Sequence, residues 1–490
     1  MIKSKEKIFF IFLISILILN KNILPQTQNL VYLTKWFGNN SSAFTFSFDD
    51  GLKSQYLNAK PILEQFGFNG TFFVLPNYLT DTEPTIWRYG TWQMFQSLAS
   101  QNHEIASHTL NHLYLTSLPM GDTSTSNSVI YELYHSKRII EEKIPDQKCL
   151  TLAYPFADHN DTIDSVTSEF YESARGVGTD PNNPVLTTAQ IYSLKSYPVH
   201  FNLPRNSPAD DFDELYAFMD WTENAINNNQ WAIMMIHEVV PFTELVDLVN
   251  QGSYEPISTE WFTEYCSWLK NKSDSLKVWV ATLAEVTKYF RQRQNSNIEL
   301  ISVTDSVIVF NISDNLNDDI YNLPLTCLIK VPDNWDAVYF YQNNIADTLF
   351  AFQTDSGKFV QANVIPDRGF VLLKSIVINS LNEDFKVPHE FVLEQNYPNP
   401  FNPTTKIRFT VPALTPSLSQ RERVILKVYD ILGNEVATLV NEEKEPGYYE
   451  VEFNAEQLSS GIYFYRLQSG NPSTGSGQSY IQTKKMILLR

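Results

Sequence analysis

Two adjacent carboxylates at the end of a short apolar run are the first residues of this chain suited to chemistry. The segment Ala43–Phe48 alternates phenylalanine with small residues, which predicts a strand with one packed face. Asp49 and Asp50 follow directly. Neighbouring strand residues point to opposite faces, so both carboxylates can serve one site only where the strand ends. A cation or proton between them would relieve their repulsion, although D-D-G is also typical of an ordinary acidic turn.

A pair of histidines follows a second strand pattern. His108 comes directly after Glu104–Ser107, and His112 lies four residues later. If the chain turns helical there, both imidazoles lie on one face and can reach one ion. Two neutral imidazoles and one carboxylate form a three-ligand site with a position left open for water, as catalytic zinc requires. His103, just upstream, is interpreted as a buried, hydrogen-bonding histidine.

Alternating strands and helices must position these residues. Between about Ala43 and Phe290, short apolar runs alternate with longer helical patterns, which indicates parallel βαβ units. Seven or eight such units predict a (β/α) barrel with its active site at the carboxyl ends of the strands. The predicted strands are Ala43–Phe48, Gly70–Leu75, Glu104–Ser107, Leu150–Tyr154, Ser173–Val177, Ser193–Val199, Trp231–Ile236 and Val278–Ala281. The predicted helices are Gln55–Phe66, Thr91–Gln101, Ser126–Lys143, Asp211–Asn228 and Ser258–Asn271.

Two further predicted strands end in residues that could complete the site. Leu150–Tyr154 leads into Pro155 and Phe156, where the proline stiffens the loop. Trp231–Ile236 is a buried strand pattern that ends on His237. A lone histidine after an apolar strand is more often structural than catalytic. We nevertheless interpret His237 as functional, because the barrel would bring it to the same end as the aspartates.

The length, net charge and cysteines of the chain limit the number of domains and the kinds of site that it can contain. With 490 residues, the chain is too long for one core, and about three domains are expected. The formal net charge of −19 argues against nucleic-acid binding, which requires a basic face. The three cysteines, Cys149, Cys266 and Cys327, are far apart and odd in number. They predict buried thiols rather than a disulfide framework or a cysteine metal site.

The two ends of the chain differ from the barrel region. Lysines precede an apolar run at Ile8–Leu19, which is shorter than the ~20 residues that span a bilayer. Residues 1–28 are therefore predicted to be a secretory signal peptide, with a membrane anchor as the alternative.

Residues 297–385 show alternating runs between Asn- and Asp-rich turns, which predict a β-sandwich. We favour a spacer role for it over carbohydrate binding, because it contains no site motif.

The motifs of the barrel region resemble a known family. The order F-D-D-G, N-H-E-I-A-S-H-T-L-N-H, A-Y-P-F and M-I-H is similar to the polysaccharide deacetylases of the NodB-homology type, the fourth carbohydrate esterase family. The resemblance covers about Ala43 to Phe290, and the predicted barrel domain is residues 40–292. It implies a distorted (β/α) barrel that binds zinc, or cobalt or a similar divalent ion. One departure is Ala153, which replaces the arginine that usually orients the catalytic base.

The resemblance also implies a role for each matching residue. Asp49 would be the catalytic base and His237 the general acid. The metal ligands would be Asp50, His108 and His112. Phe156 would supply a backbone N–H to the oxyanion, and Tyr154 and Pro155 would contact the substrate.

The C-terminal region, residues 393–490, resembles a second family. N-Y-P-N-P-F-N-P, V-Y-D-I-L-G and S-S-G-I-Y-F-Y-R are similar to the type A sorting domain of type IX secretion. This resemblance implies export across the outer membrane of a Gram-negative bacterium by the type IX machinery. It also implies release or attachment at the cell surface, with no transmembrane helix in the mature form.

The sequence thus favours a secreted hydrolase that removes N-acetyl or O-acetyl groups from an acetylated polysaccharide through a metal-activated water. The fold class is α/β, with a barrel followed by two small all-β domains. A surface carbohydrate-binding or adhesive protein with a weak or inactive barrel is the alternative, and Ala153 favours it. An iron oxygenase site built from two histidines and a carboxylate is a third hypothesis, against which the parallel barrel and Asp49 both speak.

Overall fold

The computed structural model describes residues 30–82, 88–199, 208–251, 253–254, 256–376, 391–396, 398–412, 422–431, 433–444, 447–469 and 480–489. The predicted signal peptide, residues 1–28, lies outside this part of the chain. Two compact units are present, Met1–Val377 and Ile378–Arg490.

The first part of the first unit alternates strands and helices. In chain order the strands are β1 (Val31–Leu33), β2 (Ser42–Phe48), β3 (Thr71–Val74), β4 (Glu104–Ser107), β5 (Thr151–Ala153), β6 (Ser173–Val177), β7 (Leu194–Pro198), β8 (Trp231–Ile236), β9 (Val239–Val240), β10 (Ile257–Ser258) and β11 (Val278–Val280). The helices are α1 (Lys60–Phe66), α2 (Trp92–Ala99), α3 (Val129–Lys143), α4 (Asp161–Thr167), α5 (Pro208–Asn227), α6 (Phe242–Asn250), α7 (Thr259–Asp274) and α8 (Leu283–Asn295).

Seven parallel strands close into a barrel, which confirms the predicted fold class. Strands β2 to β8 pair in chain order, and β8 pairs back onto β2. The barrel is distorted at β2, because β11 and β3 share one of its edges. Strand β11 pairs with the first residues of β2, Ser42–Phe44, whereas β3 pairs with its last two, Ser47 and Phe48. The carboxyl ends of β2, β4, β5 and β8 therefore meet at one end of the barrel.

The alternating sequence of β2 determines what fills the barrel. The phenylalanines pack outward against helices, as Phe46 does against Phe262 of α7, with ring centroids 5.5 Å apart. The small polar residues between them face the interior. There Ser47 accepts a hydrogen bond of 2.9 Å from Nε of Arg175 on β6. The period-two pattern thus leaves room inside the barrel for a long, charged side chain.

An antiparallel sheet follows the barrel within the same unit. Its later strands are β12 (Asn297–Val303), β13 (Val307–Ser313), β14 (Leu325–Val331), β15 (Ala337–Gln342), β16 (Ile345–Thr354), β17 (Gly357–Val364) and β18 (Val371–Ile376). The strand order is β1-β14-β17-β16-β15-β18-β13-β12. The first half of β16 pairs with β15 and the second half with β17. Apolar side chains from strands on both sides of β16, such as Phe310 of β13 and Ile329 of β14, share one core.

The N-terminal strand β1 joins this sheet to the barrel. It pairs with β14, and the chain then enters the barrel through Thr34. The hydroxyl of Tyr289, on α8, lies 2.9 Å from the Thr34 hydroxyl. Nearby, the Leu323 N–H donates a 3.1 Å hydrogen bond to the side chain of Gln292. The sheet is therefore hydrogen-bonded to the last helix of the barrel.

The second unit is all-β in its described residues. Its strands are β19 (Thr404–Val411), β20 (Glu422–Tyr429), β21 (Glu435–Lys444), β22 (Gly447–Asn454), β23 (Gly461–Ser469) and β24 (Tyr480–Leu488). Strands β19 and β22 form one antiparallel pair, and the others form a sheet in the order β21-β20-β23-β24. Their apolar side chains, such as Leu426 and Tyr465, build a separate core.

All three cysteines are free and buried, as predicted. None of the helices in the described ranges has the length and apolar character needed to cross a bilayer.

Candidate active site

Three side chains converge at the carboxyl ends of β2 and β4. Asp50 Oδ1 lies 3.5 Å from Nε2 of His108 and 3.5 Å from Nε2 of His112. The three ligand atoms all fall within 4.8 Å of one another. Asp50 Oδ1 is buried, yet it accepts a hydrogen bond from none of the described residues. A buried carboxylate oxygen without a donor, beside two imidazole nitrogens, fits a divalent cation.

The backbone that presents Asp50 is a tight left-handed turn. Asp50 has φ 72° and Gly51 has φ 68°. A side chain at Gly51 would also place its Cβ 3.2 Å from Cγ1 of Val74. The glycine of the D-D-G motif is thus required by both conformation and space.

The two histidines converge without the helical turn that their spacing suggested. Residues 108–112 form an irregular loop, in which Thr109 has φ 66° and His112 has φ 57°. A buried carboxylate holds this loop, since Glu132 of α3 accepts hydrogen bonds of 3.0 Å and 2.8 Å from the N–H groups of Leu110 and Asn111. The two imidazoles converge as the spacing indicated, but through a loop rather than a helical turn, because Glu132 replaces the helical hydrogen bonds.

A hydrogen bond to β5 orients His108. Its Nδ1 lies 2.8 Å from the carbonyl oxygen of Ala153, which can only accept, so Nδ1 carries the proton. Nε2 is then free to bind a metal, as is usual for a histidine ligand. Burial lowers the pKa of both His108 and His112 below the ordinary value. Both imidazoles are therefore neutral, which is the form that coordinates a metal.

The other aspartate, Asp49, is held by a buried arginine that the sequence analysis did not identify. Arg175, 1% exposed, pairs through Nη2 with Oδ1 of Asp49. Its guanidinium also contacts the hydroxyls of Ser47 and Ser196, at 2.9 Å and 3.3 Å. It lies over the ring of Phe73, with Cζ 4.9 Å from the centroid. These contacts fix the plane of the Asp49 carboxylate and compensate for burying the pair.

Arg175 lies on the strand next to Ala153, the position at which the family resemblance leads us to expect an arginine. In the register of β5 with β6, Ala153 lies directly opposite Arg175. The small alanine leaves space, and the guanidinium reaches the aspartate from the adjacent strand. A lone arginine within the otherwise small and apolar stretch S-A-R-G-V was the available signal.

His237 lies at the end of β8 and is linked to the aspartates through Gln55. The Gln55 amide donates to the carbonyl oxygens of Asp49, at 2.5 Å, and of His237, at 2.8 Å. Nδ1 of His237 is buried without a hydrogen-bond partner among the described residues. Burial lowers the pKa of His237 to about 4, although the Asp49 charge opposes this shift. The ring packs against Tyr254, with centroids 4.9 Å apart.

The turn after β5 buries two of the predicted residues. Tyr154 is 2% exposed and stacks on His159, with centroids 4.4 Å apart, and the side chain of Pro155 is also buried. Both side chains are buried and shape the turn, and the contact of Tyr154 and Pro155 with a substrate stays a prediction. Phe156, by contrast, has φ 58° and is 53% exposed. Its ring lies 4.4 Å from that of His112.

The electrostatics of the site favour a bound cation. Burial raises the pKa of Asp50 to about 7, and the neighbouring Asp49 adds to this shift. Arg175 is already engaged by Asp49. The more distant Arg88 pairs with Glu238 at 2.9 Å. A divalent ion would reverse the shift at Asp50 and hold the carboxylate ionised.

Two segments of the chain match models of protein families. Residues 38–171 match the polysaccharide deacetylase model, and residues 395–481 match the secretion system C-terminal sorting domain. The chain therefore carries a polysaccharide deacetylase domain, from a family of hydrolases that act on carbon–nitrogen bonds, and a type IX sorting domain. A sorting domain of this kind implies secretion or cell-surface localisation.

Two curated proteins and one solved structure are similar to this chain at low sequence identity. A gellan lyase from a Bacillus species is 23% identical over 370 residues, which are 73% of this chain and 14% of that protein. YxkH of Bacillus subtilis, described as a polysaccharide deacetylase, is 26% identical over 136 residues, or 28% of this chain and 44% of that protein. The chain thus spans less than half the length of both relatives. A solved structure described as a polysaccharide deacetylase from Mycobacterium smegmatis is 15% identical, with a TM-score of 0.36, covering 54% of this chain and 94% of that one.

The buried pair predicts a large stability difference between two arginine variants. Arg175→Met should lower the free energy of unfolding by about 3–5 kcal/mol, because it leaves Asp49 buried beside no cation. Arg138→Met is the matched control, since Arg138 pairs with Glu142 at 3.2 Å on the exposed face of α3. It should cost less than about 0.5 kcal/mol. Urea unfolding of both variants measures the difference, and equal losses would contradict the structural role of Arg175.

Proposed function

We propose, on the basis of the polysaccharide deacetylase domain that this chain carries, that it is a secreted, metal-dependent enzyme that hydrolyses N-acetyl or O-acetyl groups on a glycan. One observation carries the proposal. Asp50 Oδ1 is buried without a hydrogen-bond donor among the described residues and lies 3.5 Å from Nε2 of both His108 and His112. This geometry supports a three-ligand metal site with room for further ligands.

Asp50, His108 and His112 would hold the metal, and their one-carboxylate, two-imidazole set suits zinc or cobalt. When bound, such an ion lowers the pKa of water and polarises a carbonyl group. The chain supports this set through the Ala153 carbonyl, which fixes the tautomer of His108, and through Glu132, which holds the loop between the histidines.

Asp49 would act as the general base. Its Oδ1 is engaged by Arg175, while its Oδ2 faces the metal ligands and lies 3.9 Å from Nε2 of His108. The guanidinium stabilises the ionised carboxylate, which is the form that accepts a proton. The fixed orientation leaves the second oxygen free to receive the proton from the attacking water.

His237 and Phe156 would complete the reaction. His237 follows β8, the strand that pairs directly with β2, and the Gln55 amide binds the backbone carbonyls of both His237 and Asp49. The distance between these two residues is thereby fixed. Because burial lowers the pKa of His237 to about 4, it would first take up the proton that Asp49 receives from the attacking water and then donate it to the leaving amine or alkoxide. The strained turn at Phe156 would direct its N–H towards the oxyanion that forms on the acetyl carbon.

The alternative of an inactive carbohydrate-binding protein rested on the missing arginine at Ala153. Arg175 supplies a guanidinium to Asp49 from the opposite position on β6. The observation that favoured inactivity is thereby removed, and an active enzyme is the better proposal.

The two aspartates should respond differently to the same substitution. Asp50→Asn should weaken zinc binding, because a neutral amide is a poor ligand beside two imidazoles. Asp49→Asn should retain zinc, since it is not a ligand, but lose roughly 10²–10⁴-fold in turnover as a missing general base. The exposed Asp161→Asn on α4 is the control and should change neither property. Bound zinc and acetate released from a panel of acetylated glycans are measured together, before and after chelation.

Three results would contradict this assignment. Loss of zinc from Asp49→Asn, with retention by Asp50→Asn, would reverse the two roles. Full turnover after chelation would exclude metal dependence. Stoichiometric zinc without acetate release from any glycan would favour the binding protein.

We further propose that residues 1–28 are a signal peptide and that residues 393–490 direct type IX export. Mass spectrometry of the exported protein should then show a start beyond Leu24 and an end near Leu393. Deletion of residues 393–490 should retain a folded enzyme in the periplasm, because the barrel and the second unit have separate cores. A secreted form that still contains Lys484–Leu489 would count against processing of this kind.

A further inference from the structure

The imidazole of His237 lacks the hydrogen bond that usually orients a functional histidine. Its Nδ1 is buried without a hydrogen-bond partner among the described residues, although a bond at one ring nitrogen normally sets the role of the other. Gln55 binds the backbone carbonyl of His237 and leaves the ring to be placed by other contacts. The ring packs edge-on against Tyr254, with centroids 4.9 Å apart. Its position therefore depends on Tyr254 and on the chain that follows His237.

A buried ion pair lies at the residue after His237. Arg88, in the segment before α2, has its Nη1 2.9 Å from Oε1 of Glu238. The Glu238 side chain is 5% exposed and that of Arg88 is 19% exposed. Desolvation offsets much of what such a pair contributes to stability, so stability alone does not account for it.

A serine hydroxyl extends this pair to the ring that packs on His237. Nη1 of Arg88 donates to the Ser253 hydroxyl at 2.8 Å, and that hydroxyl donates to Oε1 of Glu238 at 3.3 Å. Ser253 directly precedes Tyr254. One guanidinium is thus bonded to the residue after the histidine and to the residue before its packing partner.

The backbone around Arg88 also binds the turn that carries Asp50. The Arg88 carbonyl oxygen accepts a 2.9 Å hydrogen bond from the N–H of Lys53, and the Gly90 N–H donates at 2.9 Å to the carbonyl oxygen of Gly51. Both partners follow Asp50 within three residues. This segment therefore connects the turn of the proposed metal ligand to the end of β8.

We propose that Arg88 is a positioning residue, which holds the His237 imidazole in place relative to the Asp50 turn through Glu238 and Ser253. The inference rests on the proposed deacetylase function and deepens it, because it identifies what holds the general acid. Arg88 acts through its neighbours and transfers no proton itself.

The choice of leaving group separates the acid from the rest of the site. An amine leaves the tetrahedral intermediate only once it is protonated, whereas 4-nitrophenolate is stable as an anion and leaves without an acid. When the acyl C–O bond of 4-nitrophenyl acetate breaks, the products are acetate and that anion. Hydrolysis of this ester thus requires the base but not His237. The ratio of turnover on an N-acetylated glycan to turnover on the ester reports the position of the acid.

The first test measures that ratio, with the N-acetylated glycan that the wild-type protein hydrolyses fastest. Arg88→Met should lower kcat on the glycan about tenfold with little change in KM, and should lower turnover of the ester less than about twofold. His237→Asn should show the same selectivity with a larger loss, roughly 10²–10⁴-fold on the glycan. Arg88→Lys should recover most of the glycan turnover, because an ammonium group can still bond to Glu238 and Ser253. Bound zinc should stay at the wild-type level in all three variants.

A double variant separates position from stability. Arg88→Met leaves the Glu238 carboxylate buried without its cation and should lower the urea midpoint, whereas Arg88→Met with Glu238→Leu removes the whole pair and should restore most of it. The low ratio of glycan to ester turnover should nevertheless persist in the double variant. Arg291→Met is the matched control, since it breaks a pair with Glu172 whose side chains are 21% and 25% exposed, away from the site on α8. It should lower the midpoint and leave the ratio unchanged.

Nitrogen-15 NMR of the His237 imidazole in the zinc-loaded protein gives a readout that needs no turnover. The ring signals should shift or broaden in the double variant and stay unchanged in Arg291→Met. If the wild-type protein releases no acetate from any glycan, the deacetylase proposal fails, and a shifted His237 signal would still support the positioning role.

Four results would overturn the positioning role by itself. The first is an equal loss on glycan and ester in Arg88→Met, and the second is loss of zinc from that variant. The third is a recovery of glycan turnover together with the urea midpoint in the double variant. The fourth is a His237 ring signal that does not respond to removal of the pair.

Discussion

The buried ion pair between Asp49 and Arg175 is the interaction on which the site depends. Two carboxylates at successive positions of one strand end cannot both stay ionised in a buried site without compensating charge. Arg175 compensates for Asp49, and two hydroxyls and an aromatic face satisfy the rest of the guanidinium. Asp50 Oδ1 has no hydrogen-bond partner among the described residues, which leaves it available for a cation. The difference between the two aspartates therefore follows from where one arginine lies.

The parallel barrel brings the residues of the site together. Parallel strands present their carboxyl ends at one edge, so residues far apart in sequence meet without a dedicated binding domain. Several residues of the site are then fixed by contacts from other elements. Ala153 of β5 orients His108 of β4, and Gln55 joins the ends of β2 and β8. The small, polar inner face of β2 leaves the volume that Arg175 occupies, so the sequence of one strand serves both the core and the site.

Much of the fold and the metal cluster could be predicted from the sequence, because they depend on local patterns. Strand periodicity located β2, β4 and β8, and residue type with spacing indicated a site of His108, His112 and one carboxylate. The family resemblance alone assigned that carboxylate to Asp50. Arg175 was missed because its importance depends on the register of β6 against β5, which no local pattern encodes. The spacing of His108 and His112 could not determine the backbone between them, which is a loop because Glu132, on α3, binds it. The burial of Tyr154 likewise arises from loop packing between distant segments.

The coordination shell of the bound metal tests the account most directly. X-ray absorption spectroscopy of the cobalt-loaded protein reports the number of imidazole ligands, and an anomalous-diffraction crystal structure identifies which carboxylate binds. The account predicts two imidazoles, from His108 and His112, and one carboxylate, from Asp50, while Asp49 remains paired with Arg175. A shell in which Asp49 binds the metal and leaves Arg175, or one that lacks either histidine, would contradict it.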